Sequence, residues 1–376
     1  MIDAFKQASE PVTARNPAVK ELKQSGRRVI GYTCSNFPEE IAYAAGMVPV
    51  RAIGAPGLGG ETGPLQPEAQ CSVARSNLQL ALGEGFSNLD GFVVTNSCDM
   101  AQNFYSALEH YSPFPFLHFI SRPNIAHSRP ALDFFRFELD VFKQAVERFV
   151  GKPIADEDLS NAISVYNENR RLLKELYDLR GKGEKPLISG SDFTRVAIAS
   201  FYMDKARHSE LLKGFLEEVR RGPPVAESCV RVHLSGSTFP DAELFELIEQ
   251  VGGMVVSDDL CIGTRYFMAP VEEGGAPMDA LADRYLNKMA CPCMHHGSKL
   301  DERYDFIKGQ LQQCGGQGVI FALQRLCDCH LVDYQALRYR LQSDGIPCLY
   351  HEVEATIGSG QLRTKLEAFF EIAGRD

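Results

Sequence analysis

Short apolar runs bounded by turn residues alternate with helical patterns along most of the chain, which is the arrangement of parallel α/β units. The runs predict strands at RRVIGYT (27–33), MVPVRAI (47–53), GFVVTN (91–96) and FPFLHFI (114–120). A second set follows at CVRVHLSG (229–236), GGMVVSD (252–258), GVIFAL (318–323) and IPCLYHEV (346–353), with a last helix at QLRTKLEAFFEIA (361–373). From about Leu132 to Val219 the period changes to long amphipathic segments such as DLSNAISVYNENRRLLKELYDLR (158–180). The expected fold is therefore α/β: two Rossmann-like parallel-sheet domains, at 1–130 and 226–376, joined by a helical bridge at 131–225.

The two α/β parts repeat each other, so the chain reads as internally duplicated. CSNFPEEIAYAAGMVPVR (34–51) and GSTFPDAELFELIEQVGGMVVSD (236–258) share a strand end, a Ser-x-Phe-Pro-acid helix start and a Gly-Met-Val entry to the next strand. Pro38 and Pro240 suit a first helical turn, and Glu39 and Asp241 suit its positive end. Likewise DGFVVTNSCD (90–99) matches QGVIFALQRLCD (317–328). That alignment places Cys98 and Cys327 in equivalent positions, just past the carboxyl end of a parallel strand, where open α/β sheets bind ligands. Cys71 opens the predicted helix QCSVARSNLQLAL after the Gly/Pro-rich loop GAPGLGGETGPLQPEAQ, and a helix amino end favours a thiolate. Asp99 and Asp328 follow two of these cysteines and serve either to orient their loops or to cap the helices.

Composition narrows the function. A chain of 376 residues with a formal charge of -10 and no Lys/Arg block argues for two cores and against a nucleic-acid surface. No apolar run reaches the roughly 18 residues of a membrane span, and the start MIDAFKQASEPV lacks the order of a secretory signal, so a cytoplasmic location is expected. Eleven cysteines without an export signal argue for reduced thiols rather than a disulfide framework. Most buried cysteines are small hydrophobes, but three thiolates from separate loops could hold a [4Fe-4S] cluster with one iron left open for a substrate oxygen. There is no Gly-x4-Gly-Lys-Ser/Thr phosphate loop, and GAPGLGG lacks dinucleotide spacing, so no bound nucleotide is expected.

The stretches GYTCSNFPEEIAYAAGMVPV, QCSVARSNL, DGFVVTNSCDMAQNFYSAL, ISVYNENRRLLKELYDLR, GMVVSDDLCIGTRYF, GVIFALQRLCD and GQLRTKLEAFFE, in this order, carry a resemblance. From about residue 15 to its end the chain resembles the smaller catalytic subunit of 2-hydroxyacyl-CoA dehydratases and the related benzoyl-CoA reductases. The resemblance implies cluster ligands at Cys71, Cys98 and Cys327, with Cys329 the rival for the third place. It also implies a reaction. The C3 proton of a 2-hydroxyacyl thioester is not acidified by the carbonyl, and one strongly reducing electron gives a ketyl radical anion that expels the 2-hydroxyl and makes that proton removable. In the reductase branch the electron enters an aromatic thioester. The implied partners are an ATP-hydrolysing iron-sulfur activator, an acyl-CoA substrate, and a homologous catalytic subunit or a second copy of the chain. In the homodimeric variant two such sites fuse into a double-cubane cluster that reduces small molecules. The reading from another class is a two-lobed α/β ligand-binding protein without catalysis.

Three further features carry two readings each. CPCMHH offers Cys291, Cys293, His295 and His296 as a zinc-like donor group or as ordinary packing. Glu61 is the candidate proton-transfer carboxylate or a solvated loop acid. Arg265 meets a coenzyme A phosphate or pairs with Asp258 or Asp259.

Overall fold

The computed structural model describes residues 1–59, 70–112, 114–288, 291–294, 296–354 and 359–374. Strands β1 (Arg28–Tyr32), β2 (Met47–Arg51), β3 (Gly91–Thr95) and β4 (Leu117–Ile120) form one sheet in the order β2-β1-β3-β4. Strands β5 (Val230–Gly236), β6 (Gly253–Asp258), β7 (Gly318–Gln324) and β8 (Cys348–Val353) form a second in the order β6-β5-β7-β8. Every pairing is parallel, with Val29 beside Val48 in one sheet and Val232 beside Val255 in the other. Strands covered on both faces need apolar residues at successive positions, which is why they read as unbroken runs rather than alternations. All eight expected strands are present, and the two sheets share one topology.

The first sheet is served by α1 (Ile2–Ala8), α2 (Pro17–Gln24), α3 (Glu39–Ala44), α4 (Ser72–Leu82) and α5 (Asp99–Tyr111). Four helices then lie between the sheets in sequence: α6 (Arg129–Val150), α7 (Asp156–Gly181), α8 (Gly190–Ala199) and α9 (Lys205–Arg221). After them come α10 (Glu243–Gln250), α11 (Thr264–Phe267), α12 (Pro277–Asn287), α13 (Lys299–Cys314), α14 (Asp328–Ser343) and α15 (Ser359–Ala373). The repeated connections are alike in detail. Gly46 and Gly252 both adopt left-handed backbone, at φ 83° and 91°, where the chain turns from a helix into β2 or β6. The prolines differ from expectation: Pro38 is the residue before α3, and Pro240 lies three residues ahead of α10. Asp241 does serve a helix start, its Oδ1 accepting from the Glu243 N–H at 2.9 Å.

One continuous core takes side chains from both sheets, including Val29, Val48, Val232 and Ile320, with Leu173 and Leu176 of α7 and Val196 of α8. Each fully buried aliphatic of this kind contributes about 1.5–3 kcal/mol. Buried ion pairs tie the helices to this frame: Arg180 of α7 reaches Asp258 at 2.6 Å, and Arg170 reaches Glu40 of α3 at 2.6 Å. Helix α12, late in the sequence, packs on α6 and α7. Among the described residues no helix is long and apolar enough to cross a membrane.

Candidate functional site

Cys71, Cys98 and Cys327 occupy the same local position, the residue immediately before a helix: α4, α5 and α14 respectively. Two of these helices follow directly from strands, so Cys98 stands just beyond the carboxyl end of β3 and Cys327 beyond that of β7. Leu326 makes the second turn with φ 63°, a conformation bulky residues rarely hold, immediately before Cys327. The three cysteines line one cavity together with Cys34, Cys261, Cys291 and Cys293. Cys34 follows β1 and Cys261 follows β6, so strand ends of both sheets supply thiols to a single space. All eleven cysteines are free thiols.

The walls are built by side chains that join the two halves. Ser72 at the start of α4 donates to Gln324 of β7 at 2.8 Å, and Gln324 donates to the Thr238 carbonyl at 2.9 Å. Buried Arg51 donates to the Thr33 carbonyl at 3.2 Å and to the Cys261 carbonyl at 2.7 Å, holding the Cys34 and Cys261 segments together. Val73, Ala74, Met100, Ala101, Phe104 and Pro292 make much of the remaining lining apolar.

These surroundings govern the thiols. Burial pushes Cys98 up to about 12, against the pull of the Ala101 N–H at the start of α5, and neighbouring Cys71, Cys329 and Cys34 raise it further. Burial likewise raises Cys71, with the Ala74 and Val73 amides opposing it. Cys327 is held well above its ordinary value by burial and by Cys71, with the His330 amide opposing. Each sulfur thus faces helix-start amides that favour a thiolate, in a space too dry to hold three thiolates without added positive charge. Ligands of one tetrahedral zinc, each about 2.3 Å from the metal, lie within about 4 Å of one another. Among the described residues these three sulfurs do not form a group of ligand atoms all within 4.8 Å of one another.

The other expected residues fall as follows. Cys329 lies in the first turn of α14 and touches Cys293, which in turn touches Cys291. The hydrogen bond from Cys293, with Arg122 and Arg265 nearby, holds Cys291 well below its ordinary value. The CPCMHH group is split: Cys291 and Cys293 turn into the thiol cavity, His296 turns away toward Glu302 at 3.4 Å, and His295 lies outside the described residues. Glu61 also lies outside them. Arg265 takes its pairing alternative, donating to Asp259 at 2.7 Å and to the Gly236 carbonyl at 2.8 Å, while Asp258 belongs to Arg180. Asp99 and Asp328 are exposed first-turn acids at the positive ends of α5 and α14. Sequence reasoning missed Cys34 and Cys261 as cavity residues, although both follow the carboxyl ends of parallel strands and the same strand-end rule reaches them.

Fold and cavity together define a duplicated parallel α/β protein whose strand ends converge on a thiol-lined site. The family profile described as "2-hydroxyglutaryl-CoA dehydratase, D-component" matches residues 34–373, and the chain belongs to that family. It is similar to the (R)-phenyllactyl-CoA dehydratase beta subunit of Clostridium sporogenes, with 26% identity over 94% of both chains. It is also similar to a benzoyl-CoA reductase subunit of Thauera aromatica, with 26% identity over 92% of this chain and 90% of the relative. A third relative, the putative dehydratase subunit YjiM of Escherichia coli (strain K12), is 28% identical over 98% of this chain and 97% of its own length. The protein is therefore an enzyme subunit of the 2-hydroxyacyl-CoA dehydratase or benzoyl-CoA reductase type.

Proposed function

We propose that the chain is the iron-sulfur catalytic subunit of a 2-hydroxyacyl-CoA dehydratase, with Cys71, Cys98 and Cys327 as the ligands of a [4Fe-4S] cluster. The observation that carries this reading is that these three cysteines, far apart in sequence, each precede a helix around one cavity. Their chemistry fits the group: soft thiolates suit iron-sulfur clusters, and the three line one cavity. When bound, the cluster supplies the low-potential electron whose addition to the thioester carbonyl allows the 2-hydroxyl to leave. The chain's own residues do the rest. Val73, Met100 and Phe104 keep water from the thioester, Arg51 fixes the flanking loops, and the helix-start amides oppose the burial that keeps the sulfurs protonated, so that bound iron has less to overcome in taking them as thiolates. Glu61 is the proposed proton acceptor. A homologous catalytic subunit and an ATP-hydrolysing iron-sulfur activator are the proposed partners, in the cytoplasm, because the chain has no phosphate loop of its own to drive the electron uphill.

The likeness to a benzoyl-CoA reductase subunit supports the reductase branch as the alternative substrate class. A second reading, a double-cubane cluster, gains support from the seven cavity cysteines, which are more than one four-iron cluster needs. Iron and sulfide analysis of anaerobically purified chain separates the readings. One cluster gives about four irons per chain, and a double cubane held whole within the seven-cysteine cavity of a single chain about eight. Changing Cys71, Cys98 and Cys327 to Ser one at a time is expected to lower iron content in each case, and full iron retention in the triple variant refutes the ligand assignment. Turnover of 2-hydroxyacyl-CoA against benzoyl-CoA, with reductant and partners supplied, decides the substrate class.

A further inference from the structure

His127, His296 and Glu302 stand apart from the thiol lining, in a separate surface cavity with Ile125, Gly297 and Ser298. Their ligand atoms all lie within 4.8 Å of one another. They come from two distant stretches, the segment between β4 and α6 and the segment opening α13. The imidazole rings of His127 and His296 meet edge to face, 4.8 Å between centres.

Hydrogen bonding assigns the protons. The Ser298 hydroxyl donates its one proton to Glu302 Oε1 at 2.7 Å, so its oxygen is left to accept from His296 Nδ1–H at 3.2 Å. In the neutral ring His296 Nε2 then carries a lone pair, and it faces Glu302 Oε2 at 3.4 Å. Two groups so placed are bridged either by a proton on Nε2 or by a metal cation. The separation is long for a charge-assisted hydrogen bond, typically about 2.7–2.9 Å, and matches two ligands each about 2.0–2.1 Å from a tetrahedral metal, which lie about 3.3 Å apart. His127 adds a third donor from a strained position: its φ is 57°, held by its N–H donating to Asn287 Oδ1 of α12 at 2.9 Å.

We propose that His127, His296 and Glu302 form a site for a zinc-class first-row divalent cation, separate from the thiol cavity. Two imidazoles and one carboxylate exclude the all-oxygen preference of calcium and magnesium, and three protein ligands leave a fourth position for water or an exogenous donor. Ser298 on Nδ1 is the outer-shell partner that such a histidine ligand requires. Bound metal also pins the segment after β4 to the start of α13.

The test is Co2+ and Zn2+ titration of the full anaerobic chain with its iron in place. The expected result is one cation per chain beyond the iron, with cobalt ligand-field bands and no thiolate-to-metal charge transfer. His127→Asn keeps a residue that tolerates the left-handed backbone but removes the ring, and Glu302→Gln removes the charge. Each is expected to weaken binding about 100-fold or more, since loss of even an outer-shell partner costs about 10–100-fold. Unchanged iron content and circular dichroism show that the variants fold, and Cys71→Ser leaves cobalt binding intact. Binding that survives both variants, a thiolate charge-transfer band, or no uptake by the wild type overturns the proposal, the last leaving a protonated His296–Glu302 ion pair only.

Discussion

Glu40→Gln tests whether the segment after Cys34 is held in place by a buried charge pair. Glu40 of α3 is fully buried, and Arg170 of α7 is 3 % exposed, with 2.6 Å between them. The Tyr285 hydroxyl of α12 donates to the other carboxylate oxygen at 2.8 Å, and Arg170 also donates to Tyr285 at 3.1 Å and to Asn167 at 3.1 Å. Burial alone raises the Glu40 carboxyl, but Arg170 and Arg284 outweigh it and hold it below the ordinary range. Glutamine keeps the shape and removes the charge, leaving a guanidinium buried without its partner. Removing one member of a buried pair costs about 3–5 kcal/mol. Against a total stability of about 5–15 kcal/mol, that is a large fraction. With a urea slope of about 3 kcal/mol/M, the midpoint falls by about 1 M or more. The double variant Glu40→Met, Arg170→Met restores much of the loss, because an apolar pair of similar volume has no desolvated charge to leave behind. The sign with pH follows from the lowered carboxyl: this contribution is complete above the unfolded value of about 4.3 and is lost as pH falls through the folded one. A loss below about 1 kcal/mol in Glu40→Gln, or strictly additive losses in the double variant, would refute the reasoning.

Two other predictions follow from the frame around the cavity. His208 is buried, its Nε2 bonded to the Val196 carbonyl at 3.0 Å and its Nδ1 to Asn169 at 2.8 Å; burial, then Lys205, lowers it to about 3. The unfolded chain therefore binds the proton first, so stability falls as pH drops below about 6.5, by about 2 kcal/mol between pH 7 and pH 5, and His208→Gln is expected to lack that component in urea titrations at the two pH values. Ser72→Ala leaves Gln324 Oε1 without its donor and is expected to cost about 1–3 kcal/mol while iron binding persists; loss of the iron together with unchanged stability counts against Ser72 as a wall residue only.

How much of this was legible in sequence differs by level. The strands were, because burial on both faces writes apolar runs such as GFVVT and GVIFALQ directly into the chain. The equivalence of Cys98 and Cys327 was also legible, since duplication preserves the strand-to-helix turn that carries each thiol. The full thiol set was not. Cys291 and Cys293 reach the cavity from a segment beyond α12, which packs on α6 and α7, and no local pattern announces a contact made across that distance. Adjacency in CPCMHH does not make one site for the same reason: Cys291 and Cys293 line the thiol cavity, whereas His296 lines the surface cavity with His127 and Glu302. Arg265 looked available for phosphate only because its partner Asp259 was one of two adjacent acids, and the other is taken by Arg180.

Anomalous scattering at the iron absorption edge, from crystals grown without oxygen, addresses the central assignment most directly. Iron density in contact with the sulfurs of Cys71, Cys98 and Cys327 is the expected result. Iron absent from that cavity, or held there by Cys291, Cys293 and Cys329 with the other three unliganded, would contradict it.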